Sequence, residues 1–110
     1  MTTRTLLPTL AAGLLVAGLS ATAGAATPMP PVMTSAGCTA CHASDKKLVG
    51  PAYNDVAAKY KGQADAAAQL MKKVREGGKG VWGPIPMPPH PEAKISDADL
   101  TAAIGWVLQH

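Results

Sequence analysis

The amino-acid sequence predicts an all-α domain of about four short helices joined by long loops. Three observations lead there. Apolar residues recur at three- and four-residue spacing in several segments of the second half. No segment alternates apolar and polar residues as a half-buried strand would. A Pro-rich run, Gly80 to Pro91, carries five prolines in its last eight residues, which excludes helix and central strand there.

Of the 110 residues, 47% are hydrophobic but only 4% aromatic, with no Phe, 15% charged residues and two cysteines. This excludes a coiled coil, a charged disordered tail and a disulfide-rich scaffold. The first quarter is a segment of a different kind. No charged side chain lies between Arg4 and Asp45. A basic start precedes the apolar run Leu6 to Leu19, and small residues follow from Ser20 to Ala26. That is the layout of a secretory signal peptide. Ala21-Thr22-Ala23 and Ala23-Gly24-Ala25 both offer cleavage sites; the second is preferred, giving a signal peptide over 1–25 and one domain over 26–110. The run contains Pro8 and falls short of the ~20 apolar residues of a membrane span, so no membrane insertion is expected after cleavage. Losing Arg4 reduces the formal net charge from +3 to +2. That is too small for a nucleic-acid footprint, and no aromatic residues interleave with the basic ones.

The elements follow in order. After Pro28, Pro30 and Pro31, the stretch Val32 to His42 can be helical, with Pro31 suited to a first turn. Asp45 to Ala52 reads as a loop. Tyr53 to Lys61 is a short helix with Tyr53, Val56, Ala57 and Tyr60 on one face, stopped by Gly62. Asp65 to Glu76 is a longer one, with Ala67, Leu70, Met71 and Val74 as its apolar stripe and Gly77-Gly78 as its end. Ser96-Asp97-Ala98-Asp99 resembles a capping box and opens a helix to about Gln109, with Leu100, Ile104, Val107 and Leu108 apolar and Trp106 at their edge. Tyr53, Tyr60 and Trp106 are expected in the core. That core is thin, and two cysteines three residues apart offer no useful staple. Another body must fill the middle.

Cys38-Thr39-Ala40-Cys41-His42 supplies it. C-x-x-C-H is the attachment signature of haem c: two thiols on one short turn add to the two vinyl groups, and the adjacent imidazole becomes an axial ligand. A thioredoxin-like pair would need a βαβ context. A zinc site would need a second ligand pair, and His90 and His110 have no zinc-like spacing. One haem per chain, with its iron, is therefore expected, and its two propionates offset the net charge of the mature chain. Candidates for the sixth ligand are Met29, Met33, Met71, Met87, His90 and His110. Met33 and Met71 fall in helical stretches and suit core packing, while His110 ends the chain. Met87, held between Pro86 and Pro88-Pro89, is favoured: a rigid loop keeps a weak sulfur–iron bond closed, and His–Met ligation raises the potential. His90 is the second candidate.

These segments together resemble the small soluble bacterial class I monohaem cytochromes c, the short type without the long middle loop of the mitochondrial protein. The resemblance runs from about Val32 to Leu108 and rests on C-T-A-C-H, V-G-P-A-Y, G-V-W-G-P-I-P-M-P-P and W-V-L, in family order. It implies a class I cytochrome c fold, with His42 and Met87 as iron ligands and Cys38 and Cys41 as attachment points. The Pro51 carbonyl would accept the Nδ1–H of His42, and Trp82 would donate its indole N–H to a propionate. Lys73 stands where relatives often carry Arg near a propionate. Two features depart from the pattern: His90 stands where relatives commonly have Asn, and Pro91 to Ile95 is slightly longer. His90 is expected as a surface histidine near the haem edge; the sharper alternative is that its titration makes the potential pH-dependent.

The function implied is a periplasmic single-electron carrier of a respiratory chain, a monomer and not an enzyme. Electrons would pass at the haem edge near the thioethers, where Lys46 and Lys47 follow the motif. The implied donor is a membrane quinol-oxidising complex; the acceptor is a terminal oxidase, nitrite reductase or peroxidase. The alternative is a haem c subunit or module of a larger oxidase, reductase or dehydrogenase complex. Nothing in the sequence supplies the polar distal pocket of a gas-binding or catalytic haem protein.

Overall fold

The computed structural model describes residues 26–110 together with Gly13 and Gly18. The apolar run of the leader and both candidate cleavage sites lie outside the described residues.

The C-terminal helix organises the rest. Four α-helices occur in chain order: α1 (Val32–Ser35), α2 (Tyr53–Tyr60), α3 (Ala66–Glu76) and α4 (Asp97–Val107), with a 3₁₀ turn at Cys38–Ala40 between α1 and α2. In α4, Leu100, Ala103, Ile104 and Val107 are buried at the i, i+3, i+4, i+7 spacing of one helix face. That face touches α1, α2 and α3 in turn. Each Leu, Ile or Val buried there contributes about 1.5–3 kcal/mol. Ser96 caps the helix as expected, its Oγ accepting the Asp99 N–H at 3.1 Å. The Asp99 carboxylate turns back to the Ser96 hydroxyl, at 2.9 Å, instead of to a backbone N–H. Trp106, beside the buried face, donates its indole N–H to the Thr27 carbonyl at 2.8 Å and so fastens the N-terminal segment to α4.

α2 buries Tyr53, Val56, Ala57 and Tyr60, the four residues its periodicity selected, and Gly62 follows it at φ 80°. α3 buries Ala66 and Leu70, with Met71 and Val74 packed partly buried on the core. Ala67 is exposed, so the stripe begins one residue earlier than expected. The stretch Val32 to His42 is not one helix. α1 ends after a single turn, and Gly37, at φ 86° and ψ 10°, reverses the chain before the 3₁₀ turn. A left-handed glycine satisfies the helix end but cannot propagate it. Pro31 sits one position before the first helical residue, and α4 ends at Val107, two residues early.

Among the described residues no strand forms; two isolated bridges pair His42 with Lys47 and Gly78 with Met87. No helix among them is long and apolar enough to cross a membrane. Met33 and Leu100, among the most buried large side chains, line a cavity that runs into the middle of the domain. The helices thus surround a space.

Candidate functional site

The 3₁₀ turn places the motif. The Cys38 carbonyl accepts the N–H of Cys41 at 3.2 Å and that of His42 at 3.0 Å, which folds five residues into one tight turn. Cys38 and Cys41 are half-buried, unpaired thiols, and both line the cavity. Burial pushes the Cys38 thiol up from its ordinary value, an effect only partly offset by a backbone hydrogen bond and by Lys94.

His42 is locked from behind. Its Nδ1 lies 2.8 Å from the Pro51 carbonyl. A carbonyl only accepts, so Nδ1 carries the proton and Nε2 keeps its lone pair for a ligand. The Gly50 N–H donates to the Cys41 carbonyl at 2.8 Å, which brings the loop under the ring. A Cβ at Gly50 would collide with the imidazole, reaching within 2.9 Å of Nδ1 and 3.0 Å of Nε2. Tyr53 stacks against the same ring, at 5.4 Å between centroids and 21° between planes.

Met87 is set by the end of α3. The N–H of Met87 donates to the Gly78 carbonyl at 2.9 Å, and the N–H of Gly78 returns to the Met87 carbonyl at 3.0 Å. The loop crosses so close to Gly77 that a Cβ there would strike the Met87 carbonyl oxygen and come within 3.0 Å of Pro88 and Pro89 backbone atoms. Gly77-Gly78, read in the sequence only as a helix stop, is therefore the seat of the loop.

One cavity collects these groups. Cys38, Cys41, His42, Pro51, Trp82 and Met87 all line it, with Leu70, Leu100 and Ile104 among its apolar walls. Its lining is mostly apolar, and part of it opens to solvent. Trp82 stands at 37% exposure, so it is not a buried packing residue, and the Lys59 ammonium lies 5.4 Å from its ring centroid. Lys73 lines the cavity too. Met33 is buried, and Met29 and Met71 pack at the core margin.

The cavity fits a haem on two counts: it is apolar, and two unpaired thiols from one turn line it together with a nitrogen donor and a thioether. Tyr53 also lines it; its hydroxyl is buried without a hydrogen bond, and burial is the chief cause that pushes its phenol upward. Among the described residues no cluster of three or more His, Cys, Asp or Glu could hold a bare metal ion.

One expectation is corrected here. His90 is not on the surface: it is 5% exposed, its Nδ1–H donates to the Pro88 carbonyl at 2.8 Å, and its backbone N–H donates to the Val74 carbonyl at 2.9 Å. The surrounding prolines have no N–H, so the imidazole serves a carbonyl their backbone cannot reach. Arg75, given no role in the sequence, donates to the carbonyls of His90 at 3.0 Å and Ile95 at 2.8 Å and pairs with Asp97. These partners lie 15 to 22 residues away, and no local pattern signals them.

The Cytochrome c family model matches residues 21–110. Cytochrome c-551 of Pseudomonas aeruginosa is 56% identical over 72 residues, which cover 66% of this chain and 66% of that protein. Cytochrome c2 of Rubrivivax gelatinosus is 50% identical over 76 residues, covering 69% of this chain and 89% of that one. The crystal structure of Nitrosomonas europaea cytochrome c552 superposes with a TM-score of 0.65 at 46% identity, over 71% of this chain and 94% of that chain.

Proposed function

Because the chain belongs to the cytochrome c family, as a small class I monohaem bacterial member and not an enzyme, we propose that it is a periplasmic carrier of single electrons with one covalently attached haem c. The haem supplies a one-electron iron couple. Everything else is the work of this chain. Cys38 and Cys41 hold the group by thioether bonds, which remove both thiols from titration and redox exchange. His42 offers Nε2 to the iron, and the Pro51 carbonyl keeps the proton on Nδ1 and raises the donor strength of the ring. Met87 would offer its thioether to the iron from a loop that its prolines and Gly78 hold rigid. If His42 and Met87 both bound the iron, they would leave no open position there for a substrate. Trp82 would donate its indole N–H to a propionate.

The observation that carries this reading is the convergence of Cys38, Cys41, His42 and Met87 on one apolar cavity. Val49, Val81, Trp82 and Ile85 line it and are also exposed, which supports a small apolar docking surface of the kind redox encounters use. Partners at that surface are a quinol-oxidising complex as donor and a terminal oxidase, nitrite reductase or peroxidase as acceptor. Residues 1–25 act as the export signal and are removed.

The test is the visible spectrum of the purified protein, air-oxidised and then reduced. Sharp low-spin bands on reduction and a weak far-red sulfur-to-iron band on oxidation are expected. A high-spin spectrum that shifts under carbon monoxide would mean an open iron and would overturn the carrier.

A further inference from the structure

The segment after Met87 is fastened to α3 by few bonds, and they can be counted. Pro86, Pro88, Pro89 and Pro91 have no N–H, so only Met87 and His90 can donate from the backbone between 86 and 91. Both donors go to the end of α3, to Gly78 and Val74. The Gly78 N–H returns to the Met87 carbonyl at 3.0 Å, and the remaining attachment comes from a side chain. Arg75, in the last turn of α3, reaches out to the His90 and Ile95 carbonyls and joins the strap at two points.

We infer that Arg75 is a positioning residue for Met87, holding closed the strap that presents the thioether. The inference rests on the reading of Met87 as an axial ligand. Two of its bonds matter more than the third. The Arg75 side chain is 22% exposed and bonds to carbonyls in a partly buried setting, where a charged donor is effective. The Asp97 side chain is 70% exposed, so solvent screens that pair. Arg75 acts through the strap backbone and touches no iron ligand directly. Removing it leaves the fold's helices in place but raises the population in which Met87 has swung away.

The experiment titrates the oxidised holoprotein with imidazole, which binds iron only when Met87 departs, and follows the far-red band. Arg75→Ala is expected to bind imidazole about ten-fold more tightly than the parent, the change that loss of one charge-assisted hydrogen bond brings. Arg75→Lys, which can reach one carbonyl, is expected in between, and Asp97→Asn near the parent. Ala68→Gly weakens α3 through helix propensity alone and is expected to leave imidazole binding unchanged. Unchanged affinity in Arg75→Ala, or an equal gain in Ala68→Gly, overturns the inference. If Arg75→Ala does not fold, Arg75→Lys decides alone, and parental affinity there overturns it. A parent protein without the far-red band overturns the ligand assignment itself, which is a separate and visible failure.

Discussion

Replacing Gly77 by alanine should unseat the Met87 loop, by an amount the structure allows to be worked out. Gly77 adopts φ 68° and ψ −153°, a region that side-chain-bearing residues enter at about 1–3 kcal/mol. The new methyl would also meet the Met87 carbonyl oxygen and the backbone of Pro88 and Pro89. These are backbone atoms stiffened by prolines and cannot rotate aside, so overpacking adds about 1–3 kcal/mol. The total is about 4 kcal/mol. Gly37→Ala is the matched comparison: φ is 86°, but nothing lies within 4 Å of the added Cβ. Only the left-handed backbone is penalised there, at about 1–2 kcal/mol. At about 4–8 °C per kcal/mol for a domain this small, Gly77→Ala should melt at least about 8 °C below Gly37→Ala. It should also lose the far-red band, which Gly37→Ala keeps. Thermal melts of the oxidised proteins at 280 nm and at the far-red band measure both effects. Equal melting points, with the band retained in both, would refute the claim that the loop rests on Gly77.

Three further outcomes are expected. Gly50→Ala, at a residue without positive φ, should disturb the site with little backbone strain, because its methyl enters the His42 ring space; the reduced low-spin spectrum and the potential should shift, and identical values would contradict the packing. Ser96→Ala removes the α4 cap and should lower stability by about 1 kcal/mol without changing the visible spectrum; guanidinium titration checks it. Tyr53→Phe removes a buried hydroxyl that has no partner and a phenol whose pKa rises on folding. Because the folded value lies above the unfolded value of 10.0, stability is complete below that pH and falls as pH rises past it. The variant should therefore be at least as stable as the parent at pH 7 and decline less above pH 10, as denaturation midpoints at both would show; an equally steep decline would disprove it.

The sequence by itself determined whatever depends on near neighbours. C-x-x-C-H specifies its chemistry within five residues, the α2 face follows from a three- and four-residue spacing, and the Ser96 cap needs only Asp99. Five prolines around Met87 exclude helix without reference to any partner. The thin complement of large apolar residues already predicted a core that needs another body to fill it.

The tertiary structure decided what depends on distant partners or on a cavity's shape. His90 looked like a surface residue, because no local pattern shows that its N–H reaches Val74 and its carbonyl reaches Arg75. Arg75 carried no signal in the sequence, because its partners at His90, Ile95 and Asp97 lie 15 to 22 residues away. Gly77 read as a helix stop, and its second task appears only where the Met87 backbone crosses above it. Gly37 broke the first helix although the residues on both sides could have continued it, since the motif must turn toward the cavity. In each case the residue's own properties permit several environments, and the chain returning from elsewhere selects one.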